Sequence, residues 1–232
     1  MTMSKLRAVS ALCWCVLVVS VGVVAAGPLD DGKAAYKSGD YATALKLVRP
    51  LAEQGDPMAQ YLLGTMYAWG RGVPKDYKQT LVWYRKSAEL GLPMAQDTLG
   101  TMLANGAGTA KDKKQAVKWF KLAAARGYAK AQDDLGTMYD NGDGIAKDRA
   151  EGIKWHRLAA GQGYAPAQGS LAFALSEDIL HSEMWAILGA EQKDEMSQSL
   201  LKINESLMSA EQVAKARELA AACKASSYKT CD

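Results

Sequence analysis

The chain has 232 residues and a mass of 24.9 kDa, with 49% hydrophobic and 23% charged residues and a mean hydropathy of −0.16. These values exclude a disordered chain, a collagen-like chain and a protein of many membrane spans. Removing Lys5 and Arg7, which lie in a segment read below as an export signal, leaves 26 of the 28 basic residues against 25 acidic ones, and no basic stripe, which argues against a nucleic-acid partner.

Lys5 and Arg7 precede an uncharged run from Ala8 to Ala26 that ends Val24-Ala25-Ala26 before Gly27-Pro28. The small residues at Val24 and Ala26 suit a signal peptidase, so residues 1–26 are expected to be removed before Gly27. The run also approaches the ~20 residues that span a bilayer, and an uncleaved inner-membrane anchor is the competing reading. Either way the folded part is expected outside the cytoplasm, periplasmic or secreted, with no other membrane insertion.

The rest of the chain repeats with a period of 36. Trp83, Trp119 and Trp155 keep this spacing, as do Gly64, Gly100 and Gly136, then Gly72, Gly108 and Gly144, then Asp76, Asp112 and Asp148. Gln60, Gln96, Gln132 and Gln168 extend the register to a fourth unit. The expected divisions are a degenerate helix pair within 27–56, full units at 57–92, 93–128 and 129–164, and a shortened unit at 165–192. In the shortened unit Trp185 takes the tryptophan slot after a loss of six residues. Within each full unit a first helix carries apolar residues at helical spacing, as with Ala95, Leu99, Met102 and Leu103, and stops at Gly70, Gly106 or Gly142. The glycine inside it costs ~1 kcal/mol against Ala, and a close approach by another helix backbone is the expected offset. The second helix starts at the recurring Asp, with Gln79, Gln115 or Glu151 three residues on at capping-box distance. That cap is a sufficient role for the Asp, so it is not counted as a catalytic carboxylate.

Residues 193–232 read as two further amphipathic helices closing the array, the second capped by Ser209 with Gln212. Cys223 and Cys231 are an even pair in an exported chain, read as a disulfide that hooks the tail onto the last helix; a reactive thiol pair is the alternative.

The run Ala59-Gln60-Tyr61-Leu62-Leu63-Gly64-Thr65-Met66-Tyr67, followed by Gly70-Arg71-Gly72-Val73, Asp76, Trp83-Tyr84, Ala88 and Gly91, resembles the Sel1-like repeat family, a relative of the tetratricopeptide repeat. The resemblance is tight over 57–164 and weaker over 30–56 and 165–192. It implies an all-α fold, a right-handed α/α solenoid of helix pairs, and an adaptor role in the bacterial envelope that needs no catalytic residue, metal or cofactor. Some exported, cysteine-rich members are described as penicillin-binding or β-lactamase-like, and Ser199-Leu200-Leu201-Lys202 matches Ser-x-x-Lys. The companion Ser-Asp-Asn and Lys-Thr-Gly elements are absent from the sequence, and units 57–164 lack the cysteine pairs.

Chemistry is otherwise sparse. His156 occupies the slot of Tyr84 and Phe120 and is expected to be a packed, half-buried ring; with His181 as its sole companion it makes no multi-histidine site. The expected binding surface is an exposed stripe of the first helices that takes a protein or peptide. It runs from Met58, Tyr61, Leu62 and Trp69 through Asp97 and Asn105 to Asp133, Asp134 and Asp140, graded from apolar to acidic. The competing reading is that unit one packs this face against residues 30–56 and unit three is simply well solvated.

Overall fold

The computed structural model describes residues 27–231; the expected signal or anchor segment lies outside the described residues. Among these are twelve α-helices and no strand. In chain order they are α1 (Pro28–Ser38), α2 (Tyr41–Glu53), α3 (Pro57–Trp69), α4 (Tyr77–Glu89), α5 (Pro93–Asn105), α6 (Lys113–Ala125), α7 (Ala129–Asn141), α8 (Arg149–Ala160), α9 (Ala165–Ala174), α10 (Ile179–Glu191), α11 (Glu195–Leu207) and α12 (Ala210–Ala225). Each helix up to α11 packs on the next, giving an all-α solenoid of helix pairs. No helix among the described residues is long and apolar enough to cross a membrane.

The helix ends follow local chemistry. Asp76 accepts from the backbone N–H groups of Lys78 and Gln79, Asp112 from that of Gln115, and Asp148 from that of Glu151. Each carboxylate thus meets free donors at the positive end of a helix dipole. The first helices stop at Gly70, Gly106 and Gly142, whose φ values of 67°, 76° and 74° lie in the left-handed region that costs glycine alone nothing. The recurring glutamine has a job that its recurrence alone does not reveal. Gln60, Gln96, Gln132 and Gln168 each donate across the unit boundary to a carbonyl in the last turn of the preceding helix: Ala52, Ala88, Ala124 and Ala160. That carbonyl lies past the end of its helix's own ladder and accepts otherwise from the turn N–H of Gly55, Gly91, Gly127 or Gly163, so the glutamine fills its second acceptor site and ties each unit to the one before.

The glycine inside each first helix is explained by a side chain rather than by a passing backbone. A Cβ on Gly64 would lie 2.7 Å from Tyr84, one on Gly100 2.8 Å from Phe120, and one on Gly136 2.7 Å from His156. The close contact is therefore a ring of the paired second helix set against the glycine. The degenerate first pair repeats the lock at smaller scale, with Gly32 under Val48. The fourth pair changes both halves at once: Ala172 stands at the glycine register and Ala186 at the ring register, and both are fully buried. A larger floor goes with a smaller cover, as close packing demands.

Beyond the shortened unit, α11 keeps the register with no further loss after the six residues missing before α10. Ser197 and Leu201 take the places of Ala167 and Leu171, so α11 is a further first helix. The last helix breaks the pattern, because α12 packs on α10 instead of pairing with α11. Ser209 and Gln212 form the reciprocal capping box at its start. Cys223 and Cys231 are bonded, and the tail they hold lays Tyr228 beside Gly163.

Candidate interaction groove

Three clefts lie between successive first helices, at one register position. Thr65 lines the cleft between α3 and α5, Thr101 and Thr137 line the cleft between α5 and α7, and Phe173 lines the cleft between α7 and α9. These residues are 36 apart, so the period of the sequence becomes a row of openings along one face. Their volumes are about 330, 170 and 220 Å³. The register is shared but the lining is not.

The first and largest cleft is aromatic. Tyr61, Trp69, Tyr77 and Tyr84 line it, and Trp69 is 68% exposed at its mouth. Tyr61 stacks on Tyr84 with ring centroids 5.1 Å apart, and the Tyr84 hydroxyl is 3.0 Å from Thr65 Oγ1. Burial pushes the Tyr84 phenol up to about 12, so it stays a neutral hydrogen-bonding group. Trp69 is held in place although exposed. The Arg71 guanidinium lies 5.8 Å from its ring centroid and 5.2 and 5.4 Å from those of Tyr36 and Tyr41, and it donates to the Tyr36 hydroxyl at 2.6 Å.

Further along, the same positions become ionic. Lys130 on α7 donates to Asp97 Oδ2 on α5 at 3.0 Å and to Asp134 Oδ2 at 2.7 Å. Burial pushes the Asp97 carboxyl up to about 6, with Lys130 opposing the shift. Burial also works against the charge on Lys130, yet Asp134 and Asp97 together hold its ammonium above the ordinary lysine range. His156, 1% exposed, lies between two carboxylates: Nδ1 is 2.6 Å from Asp133 Oδ1 and Nε2 is 3.1 Å from Asp140 Oδ2. A neutral imidazole has one N–H and can satisfy one of these acceptors; the imidazolium satisfies both. Burial opposes that charge, but the hydrogen bonds and charges of Asp133 and Asp140 raise the pKa of His156 above its ordinary value. The third cleft adds cationic side chains, Lys147 and Arg149, the latter donating to the Ala174 carbonyl at 2.8 Å.

The expected stripe is therefore only partly a surface. Trp69 and Asn105 are exposed; Met58, Tyr61, Asp134 and Asp140 are half-buried. Leu62, Asp97 and Asp133 are buried, contrary to the expected exposed stripe. Leu62 belongs to the core shared with Val48 and Ala52, which is the packing of unit one against the preceding pair. Asp97 faces Lys130 across the unit boundary, and Asp133 faces His156 within its unit. The apolar-to-acidic gradient is corrected accordingly, since most of the acid is spent on internal cations and the third cleft carries cations of its own. His156 also departs from expectation, being fully buried and bonded at both nitrogens. The sign in the sequence was the joint appearance of His156, Asp133 and Asp140 at positions that hold apolar residues in unit one. The Ser199 hydroxyl donates to the Glu195 carbonyl of its own helix, and Ser199 and Lys202 are both exposed, so the Ser-x-x-Lys match has no enclosed site around it. No cluster of metal-ligating side chains occurs among the described residues.

The family model described as Sel1 repeat matches residues 57–92, 93–128 and 129–164. Among solved structures, a Sel1 repeat protein from Oxalobacter formigenes is 32% identical, over 74% of this chain and 73% of that one, with a TM-score of 0.67. A protective antigen present in uropathogenic Escherichia coli strains, displaying an SLR fold, is 37% identical with a TM-score of 0.70; the match covers 75% of this chain but 39% of the antigen. An immunity protein from Pseudomonas aeruginosa, 21% identical over 82% of this chain and 84% of its own with a TM-score of 0.50, shares the fold. No curated protein matches the chain.

Proposed function

The chain belongs to the Sel1 repeat family, and on that footing we propose that it is a non-enzymatic interaction scaffold of the bacterial cell envelope, binding a segment of a partner protein along its first-helix groove. The observation that carries this reading is the aromatic cleft. An exposed tryptophan at the mouth of about 330 Å³, with three tyrosines behind it, is the kind of site that dominates protein interfaces. Its rings are already ordered by Arg71 and by the Tyr61–Tyr84 stack, so little side-chain entropy is lost on binding. The partner is an extended or helical segment that inserts an apolar side chain beside Trp69. The half-exposed Asp134 and Asp140, although each already bonds an internal cation (Lys130 and His156), are the acidic side chains that face this end of the groove, and they bias it toward Lys or Arg downstream. Export is supported by Lys5 and Arg7 ahead of the apolar run 8–26 and by the bonded Cys223–Cys231 pair, which suits an oxidising compartment.

The test is capture of envelope proteins on the immobilised protein, followed by affinity measurement with the captured partner. Trp69→Ala is expected to weaken binding ~10- to 100-fold with little salt dependence. Asp134→Lys with Asp140→Lys is expected to weaken it mainly at low salt. Unchanged affinity in both, with the fold intact, overturns the groove as the binding surface.

A further inference from the structure

The helix α11 shows its large apolar residues to solvent while turning polar ones inward. Ser197 and Asn204 are buried, with Asn204 donating to Ser182 Oγ at 3.1 Å. Ile203 and Leu207 are 55% and 70% exposed, Met196 is exposed, and Leu200 is half-buried. Met196, Leu200, Ile203 and Leu207 are separated by four, three and four residues and share one stripe of the helix. On α9 the exposed Phe173 stands at the register of Ile203 and extends the patch. A stripe of this kind on a terminal helix, with α12 packed elsewhere, has no partner among the described residues.

We propose that this stripe is a self-association surface, on which α11 of a second copy of the chain packs antiparallel about a two-fold axis. Three features select a second copy. First, the four-three-four spacing reads the same in both directions. Under an antiparallel two-fold centred between Leu201 and Lys202, Met196 meets the partner's Leu207 and Leu200 meets the partner's Ile203, apolar on apolar throughout. Second, this spacing is the alternation that packs knobs into holes in paired helices. Third, the residues flanking the stripe on its solvent side are Ser199 and Ser206, so two identical copies approach with no like charges opposed. A membrane surface is the poorer occupant. The charged residues of α11 are Glu195, Lys202 and Glu205, without the lysine- and arginine-rich polar face that holds an amphipathic helix on anionic lipid.

Sedimentation equilibrium of the protein purified from expressing cells tests this directly, over concentrations from about 1 µM to 1 mM. A monomer–dimer equilibrium is expected, with the dissociation constant raised at least ~100-fold by Ile203→Glu or Leu207→Glu. Both positions are exposed, so unchanged helical circular dichroism and melting temperature separate lost association from lost folding. Leu122→Glu, at an exposed leucine on α6, should leave the dimer intact. Met196→Cys combined with Leu207→Cys should cross-link two chains under oxidation, and Leu207→Cys alone should not. A protein that stays monomeric at 1 mM overturns the proposal, as does a dimer indifferent to both glutamates. Efficient cross-linking through Leu207→Cys alone overturns the antiparallel arrangement. Flotation of a monomer with phosphatidylglycerol vesicles, abolished by Leu207→Glu, assigns the stripe to a membrane instead.

Discussion

Units one and three are built on one backbone plan and solve one packing problem with opposite chemistry. In unit one the ring on the helix glycine is Tyr84, stacked on Tyr61, with Ala68 nearby in the same cleft. In unit three the ring is His156, and the residues at the registers of Tyr61 and Ala68 are Asp133 and Asp140, which both bond to it. Unit two is an unfinished intermediate. It has Asp97 at the carboxylate position, but Phe120 as the ring and Ala104 in place of the second acid. Phenylalanine has no donor, and Asp97 Oδ1 is buried without a hydrogen-bond partner. Lys130 from the next unit answers the other oxygen. The comparison shows that the three full units need a ring against the glycine and nothing more specific, while the flanking pairs fill the same place with Val48 on Gly32 and with Ala186 opposite Ala172. What surrounds the ring is free to be apolar or ionic, and each buried oxygen that an ionic surround leaves unpartnered, Asp97 Oδ1 in unit two and Asp140 Oδ1 in unit three, costs stability.

The sharpest way to break this comparison is His156→Phe, which gives unit three the ring of unit two. Both Asp133 and Asp140 then lose their partner, and leaving a buried charge uncompensated typically costs ~3–5 kcal/mol. Denaturant unfolding should show a loss of at least about 3 kcal/mol, concentrated in the third unit because repeat stability is close to nearest-neighbour additive. Stability equal to the parent would mean that the two carboxylates are solvated and that the imidazole is only a packed ring.

Gly100→Val tests the lock itself. The added Cβ meets the Phe120 ring at 2.8 Å, and overpacking of this kind costs ~1–3 kcal/mol. An unchanged or higher melting temperature would show that the ring slides aside at no cost.

The pH dependence separates the two units without any substitution. The folded-state pKa of His156 is raised, so its contribution is fully present below the ordinary histidine value near 6.5 and is lost as pH rises through the folded value. The parent protein should thus lose stability as pH rises from about 6 into the alkaline range, and Asp140→Asn should weaken that dependence by removing one acceptor. A flat profile over this range would show that His156 is neutral at all these pH values and bonds to one carboxylate alone.

The sequence made the solenoid plain because its period is written in residues with few substitutes: a left-handed glycine such as Gly106, a capping aspartate such as Asp112, and the glycine under a ring at Gly100. It showed far less of the groove. A helical wheel gives the azimuth of Asp97 and Asp133 but not the height of the neighbour that covers them. Lys130 lies 33 residues from Asp97 and His156 lies 23 from Asp133, so neither contact exists within one helix. The register of α11 was hidden by the loss of six residues between the start of α9 and α10, which set Leu207 at the position of Trp69 out of phase with the 36-residue period.

The smallest expected effect is also the most specific, because it completes unit two by the rule inferred from unit three. Phe120→His places a donor where Asp133 has one, and the Asp97 carboxyl should fall from about 6 toward the ordinary carboxylate range, as read by carbon NMR of its side chain. In the parent, the raised Asp97 value means that its contribution to stability is fully present below the unfolded value of 3.8 and is lost as pH rises through about 6. The substitution should remove most of that loss while changing stability at neutral pH by no more than ~1 kcal/mol, since a hydrogen bond is gained and a ring of similar size is kept. With Asp97 alone, the new imidazole has one acceptor and can remain neutral. Adding Ala104→Asp supplies the second at the register of Asp140, and the imidazole pKa should rise in the double variant beyond its value in the single one. An Asp97 carboxyl that stays near 6 in Phe120→His would mean that the new imidazole does not reach Oδ1 and leaves the effect of burial unopposed at that oxygen.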